Sequence, residues 1–381
     1  MEHLERVLKT INKKEPDRVP IDLGGPISGI TKTAYDNLLK YLKLSGVESK
    51  IWDVMQGLVG IDERVLEQLG VDFRHIRPNP PREDEVKRGE GWIVNEFGLM
   101  LKKQYHGYYY EFVEDKSPLY RAKTNKDVEA YEGPQPHEAR FNGLRKQAKS
   151  LLEKGYAVTA DVFLGGIMEF AVWLRGFTKF YYDLAANPEL AEAVLDKTLE
   201  INKRFWQPYL NEVGDHATVV LCADDYGYQN GLLISPTLWK RFVKPKLREL
   251  IALVKKEAKN AKVQLHSCGS VEPIIGDLAE VGVDILNPIQ PKAKDMDSRH
   301  LVEKYDKRVC YHGGVDIQYV LPKGSTKDVE EEVRRRIVDL APGGGYILAA
   351  AHNLQPDVPP DNIMALFREG QKFGKYPIIN P

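Results

Sequence analysis

His266-Ser267-Cys268 sets an imidazole and a thiol two residues apart at the end of the β-prone run Val263-Gln264-Leu265, and Gly269-Ser270 then leads into a helical-looking segment from Val271 to Glu280. Imidazole nitrogen and thiolate sulfur are the preferred ligands of Zn²⁺, so the pair suits a soft or borderline metal. The same residues are compatible with a thiol packed as a small hydrophobe beside a histidine that makes a local hydrogen bond. What the remaining sequence sets beside this pair decides between the two.

Strands of a parallel sheet are buried on both faces, so their side chains reach solvent mainly where strand gives way to loop. The switch from an apolar run to polar residues recurs along the chain. Ala157-Val158-Thr159-Ala160 ends in Asp161, Thr218 to Ala223 in Asp224 and Asp225, and Val283 to Leu286 in Asn287, with Gln290 just beyond. Arg308 to Tyr311 ends in His312, with Asp316 following, and Tyr346 to Ala349 is followed by His352 and Asn353. With Val19 to Leu23, Val71 to Ile76 and the His266 run, these make eight strand candidates, each followed by helical sequence. Eight such units predict a (β/α)8 barrel as a single domain over residues 1–381. An open doubly wound sheet is the alternative, and no GxGxxG follows the first strand.

In a barrel these strand ends share one mouth. His266, Cys268 and His352 are then candidate zinc ligands that leave a coordination position open, as catalysis requires. Asp224, Asp225, His312 and Asp316 are candidate catalytic groups. Asp161, Phe163, Tyr226, Gln229, Asn287, Gln290 and Asn353 are candidate substrate contacts. Phe163, Phe170, Trp173, Tyr226 and Tyr228 could wall the pocket, or be ordinary core and rim aromatics. Asp161 and Asp225 could instead cap helices, and the carboxylates could act as proton donors with the His-Cys pair incidental.

Several elements must hold these residues in place. Met1 to Lys13 predicts a helical extension with Leu4, Val7, Leu8 and Ile11 on one face. Helical spacing follows from Thr33 to Leu44 and from Asp62 to Gly70, and another helix ends at Gly155. Asn187-Pro188 starts a long helix whose buried face holds Leu190, Ala191, Val194, Leu195 and Ile201. Leu247, Leu250, Ile251, Val254 and Ala258 form a stripe on the next, and Lys327 to Leu340 precedes the last strand. The segment 78–113, with β-prone runs at Trp92-Ile93-Val94 and Tyr105 to Phe112, predicts a β-hairpin insertion. Its Tyr108, Tyr109 and Tyr110 are expected either to cover the mouth or to form the interface of a homodimer.

The totals narrow the function classes. Lysine plus arginine number 54 against 55 aspartate plus glutamate, with no polybasic segment, which argues against a nucleic-acid partner. The three cysteines, Cys222, Cys268 and Cys310, are too few and odd in number for a disulfide framework and fit a reducing compartment. The N-terminus lacks the apolar core of a secretory signal, and no apolar run approaches the roughly 20 residues that span a bilayer. A cytoplasmic protein without a membrane partner is the expectation.

Four stretches carry a family resemblance: Glu15-Pro16-Asp17-Arg18-Val19-Pro20, Cys222-Ala223-Asp224-Asp225-Tyr226-Gly227-Tyr228-Gln229 through Ser235-Pro236, His266-Ser267-Cys268-Gly269, and Gly313-Gly314-Val315-Asp316. In this order, and nearly end to end, they resemble the uroporphyrinogen decarboxylase superfamily, which implies a (β/α)8 barrel. Its decarboxylases grip a substrate with many carboxylates through an arginine-rich segment after the Pro-Asp-Arg-Val-Pro motif. That place here is Ile21-Asp22-Leu23-Gly24-Gly25-Pro26-Ile27-Ser28, without arginine. The other branch, the corrinoid-dependent methyltransferases, binds zinc through His-x-Cys and a later Cys. His266 and Cys268 match the first part, while His352 stands near the later cysteine's place. The resemblance therefore implies Zn²⁺, a partner protein carrying a corrinoid, and a small-molecule methyl donor. It is most similar to the components of O-demethylase systems that take a methyl group from a methoxylated aromatic compound. Decarboxylation of a smaller carboxylated substrate, transfer from a methylcobamide to a thiol, and a non-catalytic corrinoid-binding barrel are the alternatives.

Overall fold

In the computed structural model, which describes residues 1–104, 108–305 and 308–378, seven strands pair in chain order with every neighbour parallel. They are β1 (Phe73–Ile76), β2 (Ala157–Ala160), β3 (Val219–Ala223), β4 (Lys262–His266), β5 (Ile285–Asn287), β6 (Cys310–His312) and β7 (Tyr346–Ile347). Residues 19–23 run between the two edges. On the β1 side the Asp72 N–H donates to the Ile21 carbonyl at 2.9 Å. On the β7 side Ile21 bridges Leu348 in parallel, the Asp22 N–H donating to the Leu348 carbonyl at 3.0 Å and the Leu348 N–H to Pro20 at 2.9 Å. The sheet closes, so every expected strand segment takes part in the barrel.

The strands are buried along almost their whole length because helices cover their outer faces. Helices Pro188–Val213 and Lys244–Glu257 bury the expected stripes, Leu190, Ala191, Val194, Leu195 and Ile201 in the first and Leu247, Leu250, Ile251 and Val254 in the second. Helix α1 (His3–Ile11) plugs the N-terminal end of the barrel: Val7 and Ile11 pack on Phe73, Ala157, Val219, Ile285, Cys310 and Ile347, at or near the first residues of six strands. Leu8, expected on that face, is 38% exposed instead. Among the described residues no helix is long and apolar enough to cross a membrane.

Segment 78–113 holds more β structure than one hairpin. Lys87–Gly89, Trp92–Val94, Met100–Lys103 and Tyr110–Phe112 form a four-stranded antiparallel sheet in that order. The first strand is fully exposed and charged, so no alternation of apolar and polar residues marks it. Tyr105, at the head of one expected run, lies outside the described residues.

A buried carboxylate ties the α1 plug to the wall. Asp72 accepts from Arg6 Nη1 at 2.7 Å, Arg18 Nη1 at 2.8 Å and the Ile21 N–H at 2.8 Å, and contacts His3 Nδ1 at 2.7 Å. Removing one member of such a network leaves buried charge uncompensated, which costs about 3–5 kcal/mol. Asp72→Asn is therefore expected to lower the urea unfolding midpoint by an amount equivalent to about 3 kcal/mol; an unchanged midpoint would show that water already screens the two arginines.

Candidate metal centre

His266 is the last residue of β4 and pairs in register with Asn287 of β5. Leu286 pairs with Tyr311, so His312 ends β6 at the same level as Asn287. This register sets an imidazole, an amide and a second imidazole side by side at the mouth. His266 Nδ1 lies 2.5 Å from Asn287 Oδ1, and Asn287 Nδ2 lies 2.7 Å from His312 Nδ1. Because an amide oxygen only accepts, Nδ1 of His266 donates to it, and the neutral imidazole with that tautomer keeps its lone pair on Nε2.

That Nε2 faces Cys268 Sγ at 3.3 Å. The chain turns out of the barrel directly after Cys268 through Gly269 at φ +81°, where a Cβ would meet the Tyr228 backbone nitrogen at 2.5 Å, so only glycine fits. His352, in the loop after β7, brings its ring centroid to 5.4 Å from that of His266. The donor atoms of His266, Cys268 and His352 all lie within 4.8 Å of one another. Two ligands of a tetrahedral zinc stand about 3.5 Å apart given its bond lengths, so the trio fits that ion and leaves one position free. Burial and the neighbouring His266 lower the His352 pKa to about 3, keeping its imidazole neutral as a ligand must be. Burial and Asp225 push the Cys268 thiol well above its usual range, and a bound cation reverses that by favouring thiolate.

Cys268 and His352 line a cavity of about 490 Å³, with His266 directly behind Cys268. Tyr109, Tyr110, Glu111 and Phe112 of the inserted segment line it, as do Met55, Gln56, Glu169, Trp173, Gln290 and Asp316. The insertion thus covers the mouth, held by the Tyr110 N–H on the Met55 carbonyl at 2.9 Å and by Phe112 stacked on Trp173 at 4.7 Å. Among the described residues no lysine or arginine lines the cavity. Burial, with Asp225 and Asp224 nearby, raises the Glu169 pKa well above the usual carboxylate range.

The other sequence candidates divide into several settings. Asp225 accepts the Cys268 N–H at 2.8 Å and lies 3.8 Å from His266 Nε2. Asp224 does not line the cavity: its carboxylate accepts from the backbone N–H groups of Ile167, Met168 and Glu169 at 2.7–3.0 Å and from the Tyr226 hydroxyl at 2.8 Å. It caps helix Met168–Arg175, and burial raises its pKa to about 6 against those donors. Tyr226 is wholly buried against Trp239, and Phe163 packs on Trp206 and Tyr209, so neither walls the cavity; Phe170 is in the core and Tyr228 is half exposed. Gln290 accepts the Gly269 N–H at 2.8 Å and donates to Gln229 at 3.1 Å, bracing the turn beyond Cys268. Asp316 accepts the Gln318 and Val320 N–H groups. Asn353 accepts the Gly29 N–H at 2.6 Å and donates to Pro26 and Gln56, so it holds the loop after residues 19–23.

Two neighbours of the centre are absent from the sequence candidates. His312 Nε2 contacts Asp22 Oδ2 at 2.9 Å, and Asp22 Oδ1 contacts His75 Nε2 at 2.9 Å. His75 Nδ1 reaches Asp161 at 2.7 Å. Both Asp22 and His75 lie inside β-prone runs rather than at strand ends; the available signal was a charge within a run destined for burial.

The family model described as uroporphyrinogen decarboxylase (URO-D) matches residues 93–373, most of the chain. The chain belongs to the URO-D family. Over 174 residues it is 24% identical to the methylcobamide:CoM methyltransferase MtaA of Methanosarcina barkeri (strain Fusaro / DSM 804), covering 45% of this chain and 47% of that one. The match thus spans about half the length of that curated relative. The URO-D barrel also superposes on a solved methyltransferase from Methanosarcina mazei, with a TM-score of 0.67, 19% identity and coverage of 98% and 99% of the two chains. That likeness is one of fold.

Although burial disfavours its charge, His75 sits between Asp161 and Asp22, which raise its pKa from 6.5 to about 10. A histidine with a raised folded-state pKa stabilises fully below its unfolded value, and the contribution is lost as pH rises through the folded one. The stability gap between the parent and His75→Gln, from urea titrations, is expected to be largest below pH 6.5 and to shrink towards pH 10. A gap constant across that window would mean that His75 is not charged in the fold.

Proposed function

We propose that this URO-D-family chain is a corrinoid-dependent methyltransferase that takes the methyl group of a methoxylated aromatic compound and passes it to cob(I)alamin carried by a separate corrinoid protein. The observation that carries this reading is the cluster of His266, Cys268 and His352, two of which line a cavity walled by aromatic rings. Zinc held by these three residues would serve as a Lewis acid, stabilising the charge that develops on the ether oxygen as phenolate departs. The protein's own groups do the remainder. Tyr109, Tyr110, Phe112 and Trp173 offer ring faces and edges to an aromatic donor. Glu169, a cavity residue whose carboxyl pKa burial raises, would supply a proton to the departing oxygen. The inserted sheet narrows access for water above them.

The missing cationic lining bears on the donor. A carboxylate buried without a partner is costly, and multiply carboxylated substrates are held by arginine or lysine. The cavity therefore favours a methyl ether without a carboxylate and disfavours a decarboxylase substrate. The curated relative's name supports one second reading, in which the methyl group passes from a methylcobamide to a thiol.

Methylation of cob(I)alamin, followed by its absorbance change, separates these readings. With 2-methoxyphenol the rate is expected to exceed that with 4-hydroxy-3-methoxybenzoate at least tenfold, about 1.4 kcal/mol. Glu169→Gln is expected to lower kcat roughly a hundredfold with little change in KM. Inactivity with every methoxyarene, alongside transfer from methylcobalamin to a thiol, would establish the second reading; release of carbon dioxide without any corrinoid would overturn both.

A further inference from the structure

The contacts around His266 continue as a single buried chain around the barrel mouth, through His266, Asn287, His312, Asp22, His75 and Asp161. Its members come from β4, β5, β6, residues 19–23, β1 and the end of β2. Each link restricts the next. Asp22 is a carboxylate that receives Ser28 Oγ at 2.8 Å and both imidazoles, so every group around it donates. His312 must therefore carry its proton on Nε2, and its Nδ1 accepts. The Asn287 amide then turns its NH2 towards His312 and its oxygen towards His266, whose proton is drawn to Nδ1.

We propose that Asp22 is a remote positioning residue for the metal centre, setting the tautomer of His266 through His312 and Asn287. The proposal rests on His266, Cys268 and His352 being metal ligands. Asp22 touches none of the three, yet its charge decides whether Nε2 of His266 presents a lone pair to the ion. In an asparagine at this position, His75, which donates from Nε2, holds the amide oxygen in the place of Oδ1, and the NH2 takes the place of Oδ2 facing His312 and Ser28. His312 then shifts its proton to Nδ1, the Asn287 amide reverses, and His266 is left protonated on Nε2. Outer partners of metal-bound histidines typically govern affinity by about 10–100-fold.

The test is zinc affinity of the full chain, by competition with a chromophoric chelator, together with the visible spectrum of the Co²⁺-substituted protein. Asp22→Asn is expected to weaken zinc binding at least tenfold and to alter the Co²⁺ bands. Asn287→Asp supplies a carboxylate that accepts from both imidazoles and uncouples His266 from His312. The double variant Asp22→Asn/Asn287→Asp is therefore expected to recover most of the affinity, which repair of a merely loosened fold does not predict. Parental affinity in Asp22→Asn, or a double variant no better than Asp22→Asn, would overturn the proposal. Absence of zinc binding by the parent chain is a separate outcome, because it overturns the metal reading itself.

Discussion

An imidazole can bind a metal only through a nitrogen whose lone pair is free and correctly aimed, and here the strand register meets that condition. β4, β5 and β6 end at one level, so the amide of Asn287 lies between two histidines and orients both. The sharp turn at Gly269 then brings Cys268 back beside His266, and the loop after β7 adds His352. A register slip of one residue would send His266 to the other face of the sheet and dissolve the trio. The closed barrel, the α1 plug with its Asp72 network, and the outer helices all serve to hold that register.

The cavity above the ligands is assembled from parts with little else in common. The barrel and its loops supply Cys268, His352, Gln290 and Asp316. The inserted sheet supplies the tyrosines and Phe112, and helix Met168–Arg175 supplies Glu169 and Trp173. That helix is fixed by Asp224, whose carboxylate meets three N–H groups at its start. Asp224 and Asp225, adjacent in sequence, thus have different work: one secures a wall of the cavity and the other receives the N–H of Cys268.

The barrel was legible in the sequence because its signal is repeated: eight apolar runs ending in polar residues, with helical spacing between them. The meeting of His266, Cys268 and His352 was legible because histidine and cysteine at strand ends have few uses. Other features were hidden by distance along the chain. Nothing local announces that Asp224 caps a helix that begins at Met168, or that Asp22 and His75 meet Asp161 and His312 across the barrel. Trp173 lines the cavity as the sequence suggested, but other aromatics were misplaced for a related reason. Phe163 and Tyr226 stand near strand ends but turn into the core, whereas Tyr109 and Phe112 reach the cavity from an insertion that no barrel pattern locates. The charged first strand of that insertion carries no alternation, which left a four-stranded sheet to be anticipated as one hairpin.

The central claim is that His266, Cys268 and His352 hold a metal, and the metal content of protein purified without chelators tests it most directly. Inductively coupled plasma mass spectrometry on the parent and on Cys268→Ala, prepared in parallel, is expected to find about one zinc per chain in the parent and a small fraction of that in the variant. Equal zinc in both, or none in either, would contradict the account and leave the trio as buried packing beside a cavity whose chemistry rests on its carboxyl groups.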